Sequence, residues 1–323
     1  MSDQLVLLCP GQGAQNVGMG KAWFDHSPDA ARTFGAADEI LGDRLGAKLS
    51  ALCFEGPADT LNRTDIAQPA IFVTSVACFQ ALFHDADPSG FAATAGLSLG
   101  EYTALHLAGA MDFADALELV VLRGRAMQDA AEASAGSMVA LIGADEDQAR
   151  QVCDRAAGNG VLVCANFNAP GQIVLSGSVD ACQRAVTVAS EMGLRATALS
   201  VAGAFHSPLM QPAADRLRAA LEKTTIREPR CTVVSNVTAA PHGALVASNE
   251  GGEGGGGNGG GADAIRERLV EQLTHPVRWA QSCAWLTANV PGVYHELAPG
   301  KVLAGLMRRI NRETKVTTHD EPQ

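Results

Sequence analysis

Ser98 lies in the stretch "TAGLSLGEYTAL", residues 94–105, with Gly96 two positions before it, Gly100 two after and Glu101 directly behind. A serine attacks a carbonyl well only when a base takes its proton and the backbone holds its hydroxyl clear. Gly-x-Ser-x-Gly at a strand-to-helix turn meets the second need. The glycines relieve crowding in a tight turn that keeps the serine on a strained backbone. The helix behind turns its free N–H groups toward an oxygen reacting there. A glycine-flanked serine can also simply cap a helix, so the pentapeptide is not decisive alone. The base would be a histidine, and the chain has eight. His26, His84, His106, His242 and His319 fall in helical or loop contexts with nothing reactive around them; His275 precedes Pro276, and His295 falls in an expected strand. His206, in "VAGAFHSPLM", follows a strand where the chain returns from a small unit to a larger one. A loop there can face the cleft between them. No Asp or Glu stands out as a third, orienting member.

Two glycine-rich stretches need separate readings. "PGQGAQ", residues 10–15, follows the first expected strand. A dinucleotide fingerprint would need a third glycine where Asn16 stands, and Pro10 interrupts the passage to a helix. The turn is better placed to supply the second N–H of an oxyanion hole. "SNEGGEGGGGNGGGAD", 248–263, has no following Gly-Lys-Ser/Thr and reads as a flexible surface loop.

These residues need elements to hold them. Phe91 to Ala95 and "QLVLLC" predict buried strands, and Glu101 to Ala110 and 112–133 predict helices. Residues 68–84 predict a buried helix that Pro69 starts at its first turn. From Gly136 the order is strand, helix 145–157, strands "VLVCANFN" and "GQIVLSG", helix 179–192 and strand "RATALS". That β-α-β-β-α-β order is ferredoxin-like. The larger pattern resumes with helix 208–223, strand "CTVVSN", helix 263–273 and a final strand, glycine turn and helix in "GVYHELAPGKVLAGLMRRI". The predicted division is 135–203 for a small inserted domain, with 1–134 and 204–323 forming the catalytic one.

Composition narrows the partners. The 323 residues are 47% hydrophobic with net charge −11, which permits a large core and disfavours nucleic acid. No apolar run in the sequence reaches the roughly 18–20 residues of a membrane span, and Met1 to Cys9 is too short for a signal peptide. The eight cysteines include no Cys-x-x-Cys pair, and the expectation is reduced, buried thiols in a cytoplasmic protein. No metal site is expected.

"PGQGAQ", "GLSLGEYTAL", "LRGRAMQ", "NAPGQIVLSG", "GAFHSPLM", "SNVTA" and "EQLTHPVRW" occur in order. Together they resemble the bacterial-type malonyl-CoA:acyl carrier protein transacylases of fatty-acid synthesis, relatives of polyketide acyltransferase domains, over residues 4 to 315. The resemblance implies an α/β fold, with an α/β-hydrolase-like large domain and an inserted ferredoxin-like small one. It implies Ser98 as nucleophile and His206 as base, with a main-chain carbonyl at Gln272 in place of the acid. It further implies an oxyanion hole from the N–H groups of Gln12 and Leu99, Arg123 on the malonyl carboxylate, and Phe205 of the malonyl-selective type. A planar guanidinium fork matches a carboxylate bidentately, which would separate malonyl from acetyl. The substrates implied are malonyl-CoA and a holo acyl carrier protein, with no cofactor, no membrane and a monomer as the default. A serine hydrolase would need no Arg123, and a scaffold would need none of the three. Leu97 departs from the family's usual His before the serine. The family's carriers are strongly negative, so an acidic enzyme needs a local positive patch. The candidate is Lys301, Arg308, Arg309 and Arg312, with Arg308 and Arg312 on one helix face; the alternative is Arg184 and Arg195.

Overall fold

A computed structural model describes residues 4–84, 87, 90–199, 201–243 and 261–322. Two sheets organise the chain. The first is all parallel, with β1 (Leu5–Cys9), β2 (Phe91–Gly96), β7 (Thr232–Val234), β8 (Val293–Leu297) and β9 (Val316–His319) in the order β7-β2-β1-β8-β9. Its central strand is buried on both faces and therefore reads as an unbroken apolar run, Val6 to Cys9. Alternate side chains serve two cores. Leu7 and Cys9 pack with α2 (Pro28–Leu41), α5 (Thr64–Phe83) and α7 (Phe113–Ala133). Val6 and Leu8 pack instead with α12 (Trp279–Asn289) and α13 (Val302–Ile310).

The second sheet is antiparallel, in the order β4-β5-β3-β6, from β3 (Gly136–Ile142), β4 (Leu162–Ala169), β5 (Gln172–Ser178) and β6 (Arg195–Ala198). With α8 (Glu146–Ala156) and α9 (Val179–Glu191) it forms the ferredoxin-like unit, around its own core of Leu141, Val152, Phe167, Leu175 and Ala185. The fold is α/β, as the strand and helix order predicts. A bridge from Asn166 of β4 to Val277 ties this sheet to the chain leading into α12.

Several expectations need correction. The helix predicted at 68–84 begins at Thr64, so Pro69 lies inside it rather than at its first turn. Proline there removes one backbone hydrogen bond, which α5 tolerates because it is packed on nearly all sides. At 20 residues and mean hydropathy 1.6, α5 is also long and apolar enough to cross a membrane, contrary to the sequence expectation. Here it is a core helix, buried from Thr64 to Phe79. Residues 261–263, read as the end of the glycine loop, open α11 (Gly261–Glu271), while 248–260 lie outside the described residues. Helix α13 stops at Ile310 and Asn311 is extended, so Arg312 does not share a helix face with Arg308.

Candidate active site

Ser98 sits between β2 and α6 (Gly100–Leu107). A Cβ on Gly96 would collide with the backbone of Gly100, one on Gly100 with the Cys9 carbonyl, and one on Gly11 with the Leu97 carbonyl. Only glycine lets β1, its following turn and the elbow nest this closely. Ser98 itself has φ 53, a left-handed conformation costly for a residue with a side chain. Asn236, just after β7, holds it there: its Oδ1 accepts the Ser98 N–H at 2.6 Å and its Nδ2 donates to the Gly96 carbonyl at 2.7 Å.

His206, also left-handed at φ 55, places Nε2 2.9 Å from Ser98 Oγ. Its Nδ1 lies 2.7 Å from the main-chain oxygen of Gln272, just beyond α11. A carbonyl only accepts, so Nδ1 carries the proton and Nε2 offers its lone pair to the serine. Burial and the neighbouring positive charge of Arg123 push the imidazole down to about 4, against the Gln272 carbonyl, which favours the protonated form. The ring is therefore a neutral acceptor near pH 7.

Arg123 of α7 is 1% exposed. Its Nη2 donates to Ser98 Oγ at 3.0 Å and to Gln272 Oε1 at 2.9 Å, its Nη1 donates to Gln68 Oε1 at 2.5 Å, and the guanidinium lies over the Tyr102 ring. Its Nε has no partner, and no carboxylate lies within salt-bridge distance among the described residues. Burial lowers its pKa from the usual arginine value. A buried cation held by neutral amides is a site built to receive an anion.

The cleft around these groups has a volume of about 740 Å³ and runs between the two sheets. Gln12 and Gln15 line it from the turn after β1, Asn166 and Asn168 from β4, Met127 from α7, and Phe205 from the histidine loop. Leu97, where the family often has His, lines the same wall and packs against the core beneath the sheet. The N–H groups of Gln12 and Leu99 donate to no protein acceptor among the described residues. The cleft thus brings together Ser98, His206, Arg123, Gln12 and Phe205, with Gln272 behind the histidine and Leu99 at the first turn of α6.

Other polar groups at the site were not read from the sequence. Glu101, fully buried, accepts from Gln272 Nε2 at 2.6 Å, Asn236 N at 3.2 Å and His242 Nε2 at 2.7 Å. His242 thus does not stand apart from reactive groups. His295 and His319 are not isolated either; their rings stack with 2.8 Å between Nδ1 and Nε2. The partners in the Glu101 cluster are 135 to 171 positions away, so periodicity carries no trace of them.

Known proteins share this whole arrangement of chain. Residues 6–318 match the acyl transferase domain family. A malonyl CoA-acyl carrier protein transacylase of Bacillus subtilis (strain 168) is 41% identical, covering 99% of this chain and 95% of the relative. The solved structure of such a transacylase from Coxiella burnetii superposes with TM-score 0.87 at 35% identity, covering 99% of this chain and 95% of that one. A type II PKS acyl-carrier protein in complex with its malonyl-transacylase matches with TM-score 0.86 at 35% identity, covering 99% and 96%. By sequence and by fold, the chain belongs to the acyl transferase domain family and, within it, to the malonyl CoA-acyl carrier protein transacylases.

Proposed function

We propose that this acyltransferase moves the malonyl group from malonyl-CoA to the phosphopantetheine thiol of an acyl carrier protein through a malonyl ester on Ser98. His206 Nε2 takes the Ser98 proton as Oγ attacks the thioester carbonyl. The free N–H groups of Gln12 and Leu99 receive the oxyanion, where preorganised donors act most strongly. The coenzyme A sulfur leaves with the proton from His206. The carrier thiol then gives its proton to His206 and attacks the ester, restoring Ser98. Splitting the exchange lets two large thiols use one narrow cleft in turn. Arg123 holds the malonyl carboxylate, and Phe205 shapes the acyl pocket beside it. The cycle calls for no cofactor. The cytoplasm is the proposed location, supported by eight cysteines that all remain free thiols, seven of them buried.

One observation carries this reading: Ser98 Oγ sits between the neutral His206 Nε2 and Arg123, a buried guanidinium that no carboxylate pairs. A serine hydrolase has no use for that cation. Brief incubation with malonyl-CoA is expected to add one malonyl mass to the Ser98 peptide, and holo carrier protein then removes it as malonyl-carrier. Ser98→Ala protein that transfers malonyl at the wild-type rate, or wild-type protein that releases free malonate instead, would overturn the reading.

A further inference from the structure

The dyad has no carboxylate on its histidine, yet a fully buried carboxylate lies one residue behind it. Glu101 is the second residue of the helix that follows the nucleophile, and three N–H donors converge on it. Two belong to residues that hold the site. Gln272 touches every functional group: its main-chain oxygen accepts from His206, its Oε1 accepts from Arg123, and its Nε2 donates to the Ser98 carbonyl and to Glu101. Asn236 clamps the elbow through the Ser98 N–H and the Gly96 carbonyl while its own N–H rests on Glu101. The third donor is His242 Nε2, from the turn after β7, whose side chain is 1% exposed. A carboxylate only accepts, so the His242 proton lies on Nε2. Nδ1 has no partner among the described residues, which leaves Glu101 as the side chain's hydrogen-bonded anchor.

We propose that Glu101 is the positioning residue of the site and that His242 is the donor that fixes it, so that a hydrogen bond remote from the substrate sets the alignment of Ser98 and His206. The reasoning follows the hydrogen-bond inventory. Glu101 has two oxygens, and Gln272 and Asn236 share Oε2 while His242 alone occupies Oε1. Without His242, Oε1 is a buried acceptor with nothing to accept from, and the carboxylate must turn to find a donor. Turning it releases the Gln272 amide and the Asn236 backbone together. The effect falls on the chemical step, because the nucleophile and base lose alignment while Arg123 keeps its bond to Gln68 Oε1 and so its place in the substrate cleft. His242 is thus needed as a donor at the Nε2 position and not as an imidazole. A glutamine there places an N–H at the same reach.

The inference rests on the proposed malonyl transfer, and its test keeps the two separate. Wild-type, His242→Leu and His242→Gln proteins are compared by the single-turnover rate of Ser98 acylation from malonyl-CoA and from acetyl-CoA, by the KM for malonyl-CoA, and by thermal melting. The expected result is an acylation rate about tenfold lower in His242→Leu for both acyl groups, a KM within threefold of wild type, and recovery to within threefold in His242→Gln. Glu101→Gln, isosteric with the native side chain, guards against loss of fold: it retains one oxygen for Gln272 and Asn236, and is expected to be impaired less than His242→Leu. Wild-type rates in His242→Leu, or equal impairment in His242→Gln and His242→Leu, overturn the positioning role. Absence of acyl-Ser98 in the wild-type protein itself overturns the proposed function instead.

Discussion

A neutral imidazole beside a buried guanidinium sets the pH behaviour of single residues here. As the proposed base, His206 must be unprotonated to accept the serine proton, and burial together with Arg123 pushes it from 6.5 down to about 4. Protonation is disfavoured, so the base stays active as pH falls through the ordinary histidine range and is lost only below it. The acid limb of kcat/KM for malonyl-CoA is therefore expected near pH 4, read in a pH jump shorter than acid unfolding. A limb at 6.5 would mean that His206 does not feel the Arg123 charge or is not the base. Arg123 carries a separable prediction. Arg123→Ala is expected to lower malonyl transfer at least tenfold, because a buried charge-assisted pair contributes roughly 1.5–3 kcal/mol. Acetyl transfer should hold or rise relative to malonyl. An equal fall for both acyl groups would make Arg123 a structural residue, held by Gln68 and Gln272 for the sake of the fold.

At the scale of elements, legibility follows the physics of each constraint. The elbow between β2 and α6 is visible in the sequence because steric exclusion leaves glycine as the side chain that fits at Gly96 and Gly100. The order of the ferredoxin-like unit is visible because each of its strands and helices carries its own period, with α8 marked further by the reciprocal Asp145–Gln148 cap. Helix α5 misleads for a physical reason. Proline is read as a helix start, yet packing against α2 and α7 outweighs the one hydrogen bond lost at Pro69. The short helices α3 (Leu49–Glu55) and α4 (Ala58–Leu61) have too few turns for a clear period. Helix α2 is marked in the sequence by its Ser27 cap and by Pro28 at its first position. The Glu101 cluster belongs to another class. Its partners meet only after β7, α11 and α6 are in place, so the residue types were present in the sequence without any sign that they converge.

For the whole molecule the question is how a chain of net charge −11 approaches the acidic carrier that its resemblance implies. Long-range repulsion must be overcome by a local field near the cleft mouth. Most arginines here are already neutralised by neighbours, as in the pairs Arg44–Glu118, Arg216–Asp129 and Arg227–Asp112. The stretch around α13 differs. Lys301, Arg308, Arg309 and Arg312 are exposed, and none forms an ion pair among the described residues. Gly300 lies against Ala14 of the turn that carries Gln12, and Arg309 reaches Gln172 at the start of β5. The alternative patch is weaker, because Arg184 already donates to the carbonyls of Ala156 and Ala157, leaving Arg195 alone. Because Arg312 lies off the helix, Lys301 and Arg308 are the pair to reverse. Changing both to Glu is expected to raise the KM for holo carrier about five- to tenfold while that for malonyl-CoA stays within twofold, since rim charges act mainly on encounter. Added salt should weaken carrier use by the wild type more than by the reversed protein, because exposed charges are screened over about 10 Å at 0.1 M. An unchanged carrier KM in the reversed protein would move the docking face away from α13 and onto the ferredoxin-like unit around Arg195.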